Sequence, residues 1–462
     1  MAARRAAGLW VVPLAVAAAA LWPLSATFVS PTAMPAALVA AGAVAATVAR
    51  PAYGIALALA LAPFINTVVG GSPAKPVQLI VPALAFGVLV YVALVRREPL
   101  RAERSRTLTV AVVGFGAAAL LVSAQALEPS QSVNKLVLIA TAIALYLGVR
   151  LACRERADMT VIVAGALAGM LAASVQGIAL HFAGTFSEQG FVSGGEVVGR
   201  VQGSFGHPNL YAGYLAVLVP VAVAVLATRD FGGAMRWLAA AALALAVPAV
   251  YWSYARGALV GLIAGALVWF AVTRPRWAIA TVVVLVAGAV ALAPSTLRER
   301  FDPETSGGDI QLRSDIWNAA FEIYGDHPVL GVGVNNFSTA YEELPATAAN
   351  ASQRRLLHQD QLLVPPHPQS QYLQALSEGG IVGVAALAGL IAAALIALVR
   401  AARAAGPRIR ALGAGLAVGF MGMLVHGLVE VPLTTETSVP LFALLALCGV
   451  ALDREDAGYE PV

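Results

Sequence analysis

The chain has 462 residues, of which 59% are hydrophobic and only 12% charged. That balance excludes a soluble globular enzyme. The formal net charge of +4 at pH 7 does not indicate nucleic acid, because the charges are sorted by position along the chain.

Apolar runs of about 18 residues or more recur from end to end, each long enough to cross a hydrocarbon core about 30 Å thick. In chain order they predict fourteen spans, at 8–29, 31–49, 52–69, 77–95, 107–124, 133–149, 159–181, 209–228, 235–252, 256–273, 277–293, 374–399, 411–429 and 438–452. The alternation of a membrane barrel is missing. The expected fold class is therefore all-α: a polytopic transmembrane helix bundle forming one integral membrane domain over 1–462, with no internal repeat. The opening "MAARRAAGLWVVPLAVAAAALWPLSA" looks like a signal peptide. Further spans follow at once, so it reads as an uncleaved first helix.

With the N-terminus in the cytosol, the basic residues sort by side. Nine of the 29 Lys and Arg residues fall outside: Lys75, Lys135, Arg200, Arg256, Arg298, Arg300, Arg313, Arg354 and Arg355. The remaining twenty (29 less nine) fall at cytosolic loops, as the positive-inside rule requires. This places both termini in the cytosol and the protein in the cytoplasmic (inner) membrane. Cys153 and Cys448 then lie at cytosolic helix ends, and no disulfide is expected. All six histidines, His181, His207, His327, His358, His367 and His426, lie outside or near outer helix ends. Imidazole titrates near neutrality, so chemistry is expected on the extracytoplasmic face.

Two outer loops exceed what a turn needs, 182–208 and 294–373. The second is too long for a mere connector. Within it, Ser314 or Asp315 is a candidate cap for a helix with Ile316, Trp317, Ala320, Phe321 and Tyr324 on one face.

The helices expected to start near 209, 256 and 374 all begin at the outer face, where free N–H groups and positive dipole ends attract anions. Just before or at those starts stand Arg200 with His207, Pro208 and Asn209, then Arg256, then His367. Arginine presents a planar fork suited to phosphate oxygens, and an anion would relieve the clash between cations and helix dipoles. Gly257, Gly261 and Gly265 recur every four residues, a face that admits close approach of another helix. Each residue has a plainer reading too. Arg256 could snorkel, Arg200 could be a loop arginine, His207 could cap a helix, and Arg313 could pair with Asp309 or Asp315.

Four stretches carry a family resemblance: "GRVQGSFGHPNLYAGYL", "SYARGALVGL", "RSDIWNAAFEIYGDHPVLGVGVNNF" and "HPQSQYLQALSEGGIVG". In this order, over about 199–383, they resemble the motifs of the O-antigen ligase superfamily, which also holds polymerases and protein O-oligosaccharyltransferases. The resemblance implies a glycosyltransferase that needs no metal or other cofactor. Its donor would be a glycan on a polyprenyl diphosphate, usually undecaprenyl, and its acceptor a lipid, polysaccharide or protein hydroxyl. Besides these, its partners would be membrane lipid and no nucleic acid. Carried over by motif, Arg200, Arg256 and Arg313 hold the diphosphate, and His367 assists the acceptor hydroxyl as a catalytic residue. Arg256 is expected to be catalytic along with His367, and His207, Asn209 and Gln369 are expected on the acceptor side or in support. Two departures stand out: Gln369 and Ser370 occupy the places of the family's second histidine and its asparagine, and Ala255 replaces the serine before Arg256.

A polymerase of the same superfamily is the first alternative, and a transporter or lipid flippase is the alternative from another class. Peptidoglycan polymerases of the rod-shape and division type match none of the motifs. The sorting of arginines gives a direct test of sidedness. Cysteines introduced at positions 190 and 345 should react with an impermeant thiol reagent on intact cells, and one at 402 should not; the reverse pattern would move the site to the cytosol.

Overall fold

The computed structural model describes residues 42–456 except for 43, 66–67, 70–71, 74, 98–104, 194–195, 274–302 and 345–364. The expected spans 8–29, 277–293 and most of 31–49 lie outside the described residues, as do Arg298, Arg300, Arg354, Arg355 and His358.

The chain is a helical bundle. Among the described residues nine helices are long and apolar enough to cross a membrane. In order the helices are α1 (Pro51–Leu61), α2 (Lys75–Val90), α3 (Arg106–Ser123), α4 (Pro129–Ala152), α5 (Arg156–Phe182), α6 (Pro208–Ala227), α7 (Gly232–Ser253) and α8 (Arg256–Thr273). Then come α9 (Pro303–Asp326), α10 (Phe337–Glu343), α11 (Gln371–Ala401), α12 (Pro407–His426) and α13 (Ser438–Asp456). Proline opens α1, α4, α6 and α12, where its missing N–H costs nothing and its fixed φ suits the helix.

The structure corrects several local expectations. The span expected at 52–69 is shorter: α1 passes into a 3-10 turn at Ala62–Phe64, at Pro63, and a small hairpin pairs Val68–Val69 with Ser72–Pro73. The 182–208 loop is not wholly irregular, since Ser187–Ser193 pairs antiparallel with Glu196–Arg200. The bundle thus carries two small hairpins that an all-α reading leaves out. Helix α9 begins at Pro303 rather than at a cap near 314, so Ser314 and Asp315 are interior. Its buried face carries Ile316, Ala319, Ala320 and Ile323, while Phe321 is 55% exposed. The hydrophobic stripe is therefore rotated away from the expected one.

Two helices organise the core. Helix α13 is buried at every position from Val439 to Leu452, as expected of a helix apolar all round. Helix α12 is lined with glycines on two sides. A Cβ on Gly415 would lie 2.6 Å from the Pro220 carbonyl oxygen of α6, and one on Gly422 would lie 2.8 Å from the Gly261 carbonyl oxygen of α8. Conversely, a Cβ on Gly261 would come within 2.5 Å of the Gly422 oxygen. The glycine face expected on α8 meets this one, and backbone-to-backbone approach replaces side-chain interdigitation. At the arginine-rich end, Asp453 of α13 accepts from Arg150 (2.5 Å) and from Ser105 N (2.9 Å) and Oγ (2.8 Å). Arg50 there bonds Asp158 and Glu155.

Helix α11 breaks at Gly380 (φ 57°, ψ −154°). A break inside a membrane helix frees backbone groups that lipid cannot satisfy. The segment after α9 supplies the partners. Val332 N donates to Ser377 O (3.1 Å), Gly333 N to Glu378 O (2.9 Å), and Ile381 N to Pro328 O (2.9 Å). The Glu378 carboxylate accepts from Asn335 N at 2.9 Å and Phe337 N at 3.4 Å. Contact is so close that a Cβ on Gly380 would sit 2.5 Å from the Val329 carbonyl carbon. The "DHPVLGVGVNNF" and "SEGG" stretches are therefore two halves of one clamp, and it fixes the extramembrane helix α9 onto α11.

This clamp makes a quantitative demand. Gly380→Ala places a side chain in a backbone region essentially reserved for glycine and should cost about 1–3 kcal/mol, read as a lower melting temperature in detergent. Gly87→Ala, where a Cβ meets nothing within 4 Å, should leave the melting temperature unchanged or slightly raised.

Candidate active site

Four helix ends meet at the end of the bundle opposite the arginine-rich one: the starts of α6, α8 and α11 and the finish of α12. The hairpin strand ending at Arg200 is tied into this group. Val201 N donates to Trp252 O (3.0 Å), and the buried Arg200 guanidinium donates through Nε to Ser253 O (2.8 Å). Ser253 ends α7, so Arg200 satisfies a carbonyl that the helix leaves orphaned. The other arm of Arg200 donates to Asn209 Oδ1 at 2.7 Å. Tyr254 turns the chain with φ 50°, and Arg256 becomes the first residue of α8.

Glu430 lies in the segment between α12 and α13 and is only 2% exposed. Its Oε2 is 3.8 Å from His207 Nδ1, and its Oε1 is 3.5 Å from His367 Nε2. Val431 N donates to Oε1 at 3.2 Å, and the Asn209 side chain also hydrogen-bonds the carboxylate. Because Asn209 Oδ1 accepts from Arg200, its amide nitrogen is the group left to donate to Glu430. Arg313 of α9 reaches the same place, with Nη1 donating to Val429 O at 3.0 Å. Lys135 of α4 donates to Thr434 O at 2.9 Å.

The two histidines are fixed by backbone donors. His207 caps α6, its Nδ1 accepting from Asn209 N at 3.0 Å. His367 Nδ1 accepts from Gln369 N at 3.2 Å, with Gln369 itself in a left-handed conformation (φ 48°). A neutral imidazole that accepts at Nδ1 carries its proton on Nε2. His367 therefore turns an Nε2–H toward Glu430. Burial pushes His207 down to about 3, helped by Arg200, Arg313 and His426. Burial likewise pushes His367 down to about 3, helped by Lys135, His207 and Arg313. Glu430 moves the other way, up to about 7, because burial outweighs Arg313, the Asn209 hydrogen bond, Val431 N–H and Arg200. Near neutral pH both imidazoles are uncharged and Glu430 is poised to gain or lose a proton.

The structure thus brings Arg200, Asn209, His207, His367 and Arg313 around one carboxylate, with Gln369 beside His367 and Arg256 at the neighbouring helix start. In the sequence Glu430 and His426 are ionisable groups near an outer helix end. Their signal was isolation: "HGLVEVPL" holds two ionisable residues in an otherwise apolar stretch. His426 is 3% exposed, and its Nε2 finds no hydrogen-bond partner among the described residues. Its ring fills the space left by two glycines. A Cβ on Gly213 would lie 2.8 Å from its Cε1, and one on Gly257 would lie 2.9 Å from its Cδ2. Among the described residues no group of three or more His, Cys, Asp or Glu side chains is arranged to hold a metal ion.

Overpacking this slot should be felt directly. Gly257→Leu should displace the His426 ring and destabilise the protein by about 1–3 kcal/mol, seen as a lowered melting temperature. Gly389→Leu, where a Cβ meets nothing within 4 Å, should not.

Comparison with known proteins bears on this arrangement. Residues 239–388 match the family described as O-Antigen ligase, and no curated protein matches the chain. The matched segment runs from within α7 past the break in α11. It contains Arg256, Arg313, His367 and Gln369, while Arg200, His207, Asn209, His426 and Glu430 come to the same place from outside it. By this match the 239–388 segment, about a third of the chain, is similar to the O-antigen ligase family.

Proposed function

We propose that the protein is a glycosyltransferase that moves a glycan from a polyprenyl diphosphate, such as undecaprenyl diphosphate, to an acceptor hydroxyl at the outer face of the cytoplasmic membrane. The observation that carries this reading is the juxtaposition of a buried carboxylate, Glu430, with arginines and helix N-termini at one end of the bundle. The acceptor oxygen attacks C1 of the reducing-end sugar from the side opposite the diphosphate. The C1–O bond breaks, its electron pair leaves on the lipid diphosphate, and the configuration at C1 inverts. Arg200, Arg256 and Arg313, with the N-termini of α6 and α8, stabilise the departing charge; removing one such donor typically costs about 10²–10³ in rate.

The hydroxyl proton needs a base. Glu430 suits that task, because its carboxylate ionises near neutrality and positioned bases contribute about 10²–10⁴. His367 supports it in this reading. With Nδ1 held by Gln369 N and Nε2–H turned to the carboxylate, the imidazole orients Glu430 and the hydroxyl rather than taking the proton first. Asn209 couples Glu430 to Arg200, so the base and the diphosphate side share one hydrogen-bonded chain. The cell-envelope acceptor is a lipid, polysaccharide or protein hydroxyl; a growing polymer as acceptor would make the same chemistry a polymerase reaction.

One observation favours a transporter instead, since transporters often use broken membrane helices and α11 is broken at Gly380. Here, however, backbone groups freed by the break bond to residues 328–333, which leaves them closed to an ion. A single assay separates the readings. Reconstituted protein supplied with a polyprenyl-diphosphate glycan should release lipid diphosphate. Glu430→Gln should slow release about 10²–10⁴, and Arg256→Ala should abolish it. The rate should climb as pH rises through about 7, where Glu430 ionises, and the residual rate of Glu430→Gln should lose that dependence. Undiminished release in both variants, or glycan translocation without release, would overturn the proposal.

A further inference from the structure

The arginine-rich end of the bundle holds a cavity of about 720 Å³ between α6, α8, α11 and α12. Its polar lining is Arg229, Arg403 and Arg410 with Thr228 and Thr273, and Trp269 forms part of the wall. Arg229 follows the end of α6, Arg403 follows the end of α11, and Arg410 sits in the first turn of α12. All three arginines are exposed, and among the described residues none forms an ion pair. Near the α6 and α11 C-termini a cation is stabilised by the dipole; at the α12 N-terminus it is opposed. Three guanidinium groups and a helix N-terminus around one cavity concentrate positive charge, with no ion-paired carboxylate among the described residues. The rest of the wall is apolar, including Val272, Val399 and Ala414.

We infer that this cavity binds the phosphate headgroup of an anionic phospholipid, with the start of an acyl chain lying along the apolar wall. The chemistry suits an amphipathic ligand. Guanidinium forks take phosphate oxygens in bidentate fashion, and basic pockets between membrane helices on the cytoplasmic side bind anionic headgroups. A tryptophan ring is at home at headgroup depth. The positive-inside pattern assigns this end to the cytosolic leaflet, away from the helix ends around Glu430. The site is thus separate from the proposed transfer site and does not depend on it.

The test uses the full-length protein in nanodiscs of phosphatidylcholine with and without phosphatidylglycerol, reading melting temperature and, by native mass spectrometry, the number of retained lipids. Phosphatidylglycerol should raise the melting temperature by at least about 2 °C and be retained on the protein. The triple variant R229Q/R403Q/R410Q should lose the shift and bind phosphatidylglycerol about 100-fold more weakly, given the strength of each arginine near an anionic surface. The pair R96Q/R97Q, at the same end but outside the cavity, should keep both signals. Should the triple variant fail to fold, Arg410→Gln alone should still retain measurably less phosphatidylglycerol. Equal responses of wild type and the cavity variants, or equal loss in R96Q/R97Q, would overturn the site. An equal shift from millimolar inorganic phosphate in phosphatidylcholine alone would assign the cavity to a soluble anion and overturn the lipid.

Discussion

The bundle depends on one constraint: every backbone polar group withdrawn from water must find its partner inside the protein. Regular helices meet it without help. The end of the bundle around Glu430 does not, because α6, α8 and α11 start there and α12 stops there. The described irregular segments at that end are tied to one another. Arg200 takes the last carbonyl of α7, Gln371 N takes Gly427 O at 2.8 Å, and Gln371 Oε1 accepts from Leu433 N at 2.8 Å. The break in α11 is stitched to the 328–333 segment in the same way. These ties bring distant parts of the sequence to one point, and they hold a carboxylate and two imidazoles where water is scarce.

Desolvation then sets the electrostatics. The same burial that raises Glu430 lowers His207 and His367, since each group's charged form is disfavoured. A carboxyl poised near neutrality between two neutral imidazoles is the pattern that acid–base chemistry asks for. The histidines, whose sequence position suggested the base, are each anchored through Nδ1 to a backbone N–H. That anchoring is what leaves the carboxylate as the group able to accept a proton in the proposed reaction.

Much of this was legible in the sequence. Among the described residues hydropathy located most membrane helices to within a few residues, and the run Gly257, Gly261, Gly265 announced the close packing that α12 completes. Arg200 and Arg256, singled out in the sequence near helix starts, lie at one end of the bundle. What could not be read was long-range pairing. No pattern ties Glu378 to the Asn335 and Phe337 backbone, or Glu430 to residues more than 200 positions earlier. Helix α9 was misread because its polar first half, "PETSGGDIQ", carries no apolar stripe; helix continues there regardless of periodicity. The 52–69 run was overextended because the valines at its end continue the apolar run, yet Val68–Val69 pairs with Ser72–Pro73 as a small hairpin.

The central claim is that the polyprenyl diphosphate is held at the end of the bundle that carries Arg200, Arg256 and Arg313, with the sugar's C1 facing Glu430. The most direct measurement is a cryo-electron microscopy structure with a non-transferable polyprenyl-diphosphate glycan bound. The diphosphate should lie among those three arginines at the starts of α6 and α8, with the glycan toward Glu430 and His367. A diphosphate bound at the arginine-rich end, or one at the helix starts with its sugar turned away from Glu430, would contradict it.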